Sequence, residues 1–172
     1  MKQWCLAALA FSLLGCVTSA IQDGQRSHAY AFDQPSLLAT QRVFGVGNAV
    51  TLLGEACANY PAALASYEQW QSVNHETLRS MTTQLALHYR IQALPDEQQK
   101  RVAEAMHLRT RLALADDALE EACTSLPETL ALPWMNLAQR YHATLAEVRD
   151  PDYLKPKKPK KTDDREEQTR SE

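Results

Sequence analysis

The residues of this chain whose chemistry could go beyond packing are four cysteines (Cys5, Cys16, Cys57, Cys123) and five histidines (His28, His75, His88, His107, His142). No two histidines are four positions apart, the spacing that puts two imidazoles on one helix face for a metal. His75-Glu76 also lacks the second histidine of an H-E-x-x-H site. No G-x-S-x-G esterase elbow occurs. Acidic residues are frequent along helix surfaces, and no pair of them stands out for hydrolysis. Cys57 and Cys123 are 66 positions apart, which excludes a C-x-x-C redox or zinc pair. Two chemistries then compete for them: a disulfide, or a thiol nucleophile beside a histidine. Each is followed shortly by a Pro-led helix start. Both are therefore placed at helix C-terminal ends, where a bridge is the simpler reading. This yields no catalytic residue, no metal ligand and no cofactor site.

The amino terminus bears on the compartment. Lys2 precedes an apolar run from Trp4 to Leu14 that only Ser12 interrupts. A membrane-spanning helix needs about 20 apolar residues, so this run is too short to span. It reads as a secretory signal over residues 1–15. Leu13-Leu14-Gly15-Cys16 then resembles a bacterial lipobox. That resemblance implies a diacylglyceryl group on the Cys16 thiol, cleavage just before it, and attachment to the membrane through the lipid. Gly15 suits the cut, whereas Leu14 is bulkier than usual there. The competing site is ordinary cleavage after Ala20, with Thr18 and Ala20 as the small pair. Under either cut Cys5 is lost and Cys16 is lipidated or removed. Two cysteines remain, and an even remainder in an oxidising compartment predicts a Cys57–Cys123 bridge. Val17 supplies no acidic retention signal. The resemblance therefore implies the periplasmic side of the outer membrane if Cys16 is lipidated, and the soluble periplasm otherwise.

The rest of the 172-residue chain must position that bridge. Five glycines, three phenylalanines and abundant Ala and Leu favour helix over sheet. The reading is all-α: a small up-down bundle of about four helices over residues 36–150, after a tether over 16–35. A first helix is expected from 35 or 36 to 56, with Gly47, Gly54 and Ala58 at near-heptad spacing for close approach of another helix. Pro61 opens a second helix to about residue 91. Its seams are Leu64, Gln71, Leu78, Leu85 and Tyr67, Asn74, Met81, His88. Asn74 and His88 are expected to find partners in the core or at its rim. A third helix is expected from about 94 to Cys123, a short turn over 127–132, and a last helix over 133–148.

Residues 151–172 lack apolar content. Lys155, Lys157, Lys158, Lys160 and Lys161 form a basic block, and Asp163, Asp164, Glu166 and Glu167 follow. Segregated charge and low hydrophobicity predict a disordered tail. The five lysines are candidates for contact with anionic lipid or another envelope polyanion. The net charge of −3 gives no bulk electrostatic signal for nucleic acid. The function expected is an envelope-anchored interaction protein, such as an adaptor, chaperone or assembly factor, with a membrane and a protein as partners. The alternative is a periplasmic immunity or inhibitor protein that binds a toxin or enzyme.

Overall fold

A computed structural model describes residues 30–153. Among them five α-helices and one short 3-10 turn form an all-helical bundle with no strands. The helices are α1 Pro35–Ala56, α2 Pro61–His88, α3 Pro95–Ala105, α4 Asp116–Leu130 and α5 Leu137–Arg149, with the 3-10 turn Pro133–Met135 before α5. None of these helices is long and apolar enough to cross a membrane.

The bundle is built around α1. Over 37–44 this helix is buried on nearly every side, and only Arg42 is exposed. A helix that is apolar nearly all round must be covered all round. It packs against α2, α3, α4 and α5. Contacts along α1 rise as those on α2 fall: Thr40 bonds Gln84, Gly47 faces Leu78 and Gly54 faces Tyr67. The two helices are therefore antiparallel. Leu38 and Ala39 cluster with Val148, while Gly47 lies near Leu137, so α5 is antiparallel to α1 as well. The main core unites Phe44, Leu85, Val102 and Leu137 from four helices.

Two of the three small residues singled out on the first helix do admit a neighbour. A Cβ at Gly47 would meet a Leu78 methyl at 2.7 Å, and one at Gly54 would run into the Tyr67 ring. Ala58 lies past the helix end and is exposed. On α2, Tyr67, Asn74, Leu78, Met81 and Leu85 are buried, while Gln71 is exposed.

The expected third helix is two helices. The chain leaves α-helical geometry at Met106 and resumes at Asp116. His107 adopts φ 54°, its N–H bonds the Glu104 carbonyl, and Leu108 N–H reaches back to Ala103 O at 2.8 Å. These paired 5→2 and 6→1 bonds are a Schellman stop. The same stop ends α2 at His88 rather than at 91. Arg90 has φ 55°, bonding Leu87 O, and Ile91 N–H bonds Ala86 O. The expected break between Cys123 and Pro127 is absent, because α4 runs through Pro127 to Leu130. Cys123 thus sits mid-helix and not at a helix end. The last helix begins four residues later than expected, at Leu137. Residues 133–135 form the 3-10 turn, and the Asn136 side chain caps α5 by accepting from Gln139 N at 3.0 Å.

Candidate functional site

Cys57 and Cys123 are joined in a disulfide, with Cα atoms 5.4 Å apart. The bridge ties the C-cap of α1 to the middle of α4, in a buried cluster with Ala63 and Leu126. Both thiols are consumed, so neither serves as a nucleophile in this state. Bridges of this kind persist in oxidising compartments.

Four of the five histidines lie among the described residues. His75 is exposed beside Glu76 Oε1 at 3.1 Å, and His142 packs edge-on against Tyr141. His88 lies against Tyr89, and His107 occupies the helix stop of α3. Among the described residues no group of three His, Cys, Asp or Glu side chains is placed to hold a metal. Cys16, His28 and the lysines at 155, 157, 158, 160 and 161 lie outside the described residues.

What the fold does assemble is surface. A groove of about 480 Å³ runs between α2 and α4, floored by Trp70 and Asn74. Its polar floor is already paired. Trp70 Nε1 donates to Met135 O at 2.8 Å, Asn74 Nδ2 donates to Trp70 O, and Asn74 Oδ1 accepts from Leu137 N at 2.7 Å. A wider groove of about 1000 Å³ separates α2 from α3 and is lined by Gln71, His75, Arg79, Thr83 and Gln98, with Leu87 at its edge.

The third groove, about 700 Å³, lies between α1 and α5, lined by Tyr30, Arg42, Val46, Trp134, Arg140 and Glu147. Its construction begins at Gln41, which is fully buried. Gln41 Oε1 accepts from Ala31 N at 2.9 Å, and its Nε2 donates to the Tyr89 hydroxyl at 2.6 Å. A buried amide needs such partners. Here they clamp the chain before α1 onto the bundle, with Ala31 buried and Tyr30 and Phe32 exposed on either side of it. The two rings lie 6.3 Å apart. Across the groove Trp134 is 50% exposed, with the Arg140 guanidinium 5.2 Å above its ring. Arg140 also donates to the Trp134 carbonyl. Arg42 donates to the Tyr153 hydroxyl at 2.8 Å and pairs with Glu147 at 3.5 Å.

Burial perturbs two phenols beneath these surfaces. Burial pushes Tyr89 above the usual tyrosine range, against the Gln41 hydrogen bond, which lowers it; Tyr30 adds a small raising effect. Burial likewise raises Tyr67, against a lowering side-chain interaction with Thr51 and with Glu55 reinforcing it. The Tyr89 hydroxyl accepts from Gln41 and the Tyr67 hydroxyl from Gln71.

Sequence reasoning anticipated a partnered Asn74 and the bridge. It missed Gln41, Asn48 and Trp70. Asn48 Nδ2 donates to Arg109 O at 3.0 Å and so pins the non-helical link between α3 and α4. A glutamine and an asparagine seven positions apart in a largely apolar helix are the available signal for the first two, since buried amides need fixed partners. Comparison of the chain with family models, with curated proteins and with solved structures finds no match.

Proposed function

We propose that this chain is an envelope-anchored helical interaction protein, an adaptor, chaperone or assembly factor, held on the membrane by lipid on Cys16. The observation that carries the reading is Leu13-Leu14-Gly15-Cys16, directly after an apolar run too short to span a bilayer. The bridged Cys57 and Cys123 support it, since such a bond belongs to an oxidising compartment. So does the groove between α2 and α4, whose buried polar floor is paired internally, an arrangement suited to binding by shape. Val17 favours the outer membrane by the same resemblance. Lys155, Lys157, Lys158, Lys160 and Lys161 form a basic segment for contact with an anionic lipid or another envelope polyanion.

Two measurements test the proposal. Mass spectrometry of the mature chain should find an acylated N-terminus at Cys16, and Cys16→Ser should abolish the acyl mass. A mature chain that starts at Ile21 without lipid overturns the anchor. Capture of partners from envelope extracts should return a component of an envelope machine. Recovery of a secreted toxin or enzyme instead identifies an immunity or inhibitor protein.

A further inference from the structure

We infer that the face of α1 and α5 carrying Tyr30, Phe32, Trp134 and Arg140 is the side on which the folded body rests against an anionic phospholipid surface. This deepens the anchoring proposal and rests on it for the body's proximity to the membrane. Three observations lead to it.

The first is where the described chain ends. Tyr30 and Arg42 line the same groove, and Arg42 bonds Tyr153. Both ends of the described chain, residues 30 and 153, therefore meet at Arg42 on one face. Cys16 lies 14 residues before Tyr30, and Lys155 lies two residues after Tyr153. At no more than about 3.5 Å per residue, the segment from Cys16 spans at most about 50 Å. The chain that leads to Cys16 and the chain that leads to the basic block from 155 to 161 therefore both leave the described body at this face.

The second is the chemistry of the face. Tyr30, Phe32 and Trp134 are the large aromatic side chains that this fold leaves exposed among the described residues, and all three are here. Rings with one apolar body and one polar edge favour the headgroup level of a bilayer. Arg140 stacks on Trp134 and presents a guanidinium suited to phosphate. Arg42 is also here, paired with Glu147.

The third is the charge of α4, whose N-terminal half lies toward the other end of α1. α4 carries Asp116, Asp117, Glu120, Glu121 and Glu128 and no lysine or arginine. It is bridged to the C-terminal end of α1, fifteen positions from Arg42. At about 1.5 Å per residue this is a separation of about 22 Å along the helix. An anionic surface repels that helix. On the proposed face Arg42 and Arg140 stand against Glu147 and the neighbouring Asp33, Asp150 and Asp152, and the lysines from 155 to 161 supply the excess positive charge.

The test uses the mature full chain. Whichever signal cut applies, Trp4 is removed and Trp70 and Trp134 are the tryptophans left. Trp70 is 5% exposed, so contact quenching reports Trp134. On vesicles of brominated phosphatidylglycerol, Trp134 emission should be quenched relative to unbrominated vesicles, with the difference gone in Trp134→Phe. Arg140→Glu should reduce the quenching while leaving the melting curve in place. Trp134 emission that bromine leaves unchanged on a vesicle-bound chain overturns the inference and leaves the anchor standing. If the mature chain carries no lipid, the anchor fails. Quenching on added vesicles then still upholds the face, and its absence overturns it. Shielding of Trp134 by envelope proteins but not by lipid overturns it in favour of a protein contact.

Discussion

Three glycines of α1 separate space from propensity. Replacing an interior helical Gly by Ala gains about 1 kcal/mol where there is room. At Gly45 the nearest atom to a new Cβ is Leu108 Cδ1 at 3.9 Å, an ordinary contact. Gly45→Ala should therefore raise the melting temperature. At Gly54 the Cβ would enter the Tyr67 ring, and that ring is packed against Trp70. Overpacking costs about 1–3 kcal/mol, and a rigid ring places this site at the upper end. Gly54→Ala should lower the melting temperature despite its better propensity. Thermal unfolding followed by circular dichroism reads both signs. The same ring sets a pH limit. Unfolded tyrosines lose their protons near pH 10, whereas burial holds Tyr67 and Tyr89 above that. Below about pH 10 both states keep these protons and stability is whole; above it the unfolded chain releases protons that the native state retains, so stability falls. Tyr67→Phe should flatten that decline, measured as the urea midpoint against pH. The near-heptad spacing of Gly47 and Gly54 made their close approach legible in the sequence. The duties of Gln41 and Trp70 were not, because a side chain's hydrogen-bond partner depends on neighbours 48 and 65 positions away.

Helix existence was legible from apolar periodicity and Pro-led starts, and helix ends were not. The stops of α2 and α3 use Arg90 and His107 in the left-handed region, where glycine is the usual signal. Each stop is held by the next residue along the chain: Ile91 and Leu108 pack on the main core and anchor the reversed turn. Tertiary packing therefore overrode a sequence that still read as helix through residue 123. Pro127 misled in the opposite sense. It removes one backbone bond within α4 and crowds the preceding turn, at a cost of about 3 kcal/mol in an ordinary helix interior. Buried Cys123 and Leu126 nevertheless keep α4 helical through it. The left-handed turns give a prediction at this scale. An L-residue there costs about 1–2 kcal/mol, and glycine relieves it. Arg90→Gly should raise the melting temperature by a few degrees without altering helix content. A decrease would mean that the Arg90 side chain contributes more than the strain it imposes.

At the scale of the whole molecule, two links beyond ordinary packing are separable. The segment 155–172 offers little apolar area to offset the entropy of ordering it. A chain ending at Leu154 should melt within a degree or two of the parent, and a larger loss would show that the segment packs on the body. The bridge should behave differently. It closes a loop of 66 residues, which on the chain-entropy model restricts the unfolded state by about 4 kcal/mol. Domain stabilities run about 5–15 kcal/mol, so this is a large share. Its location decides what is lost with it. The bridge sits in the small cluster of Cys57, Ala63, Cys123 and Leu126, whereas the main core of α1, α2, α3 and α5 is built around Phe44, Leu85, Val102 and Leu137. Reduction, or the paired change Cys57→Ala and Cys123→Ala, should lower the melting temperature sharply while far-UV helicity persists below the new transition. Hydrogen exchange should then rise first in α4, which the bridge fastens to the C-terminal end of α1, and last in α1 over 37–44. Uniform loss of protection across all five helices would show that the two clusters unfold as one unit and that the bridge secures the whole bundle.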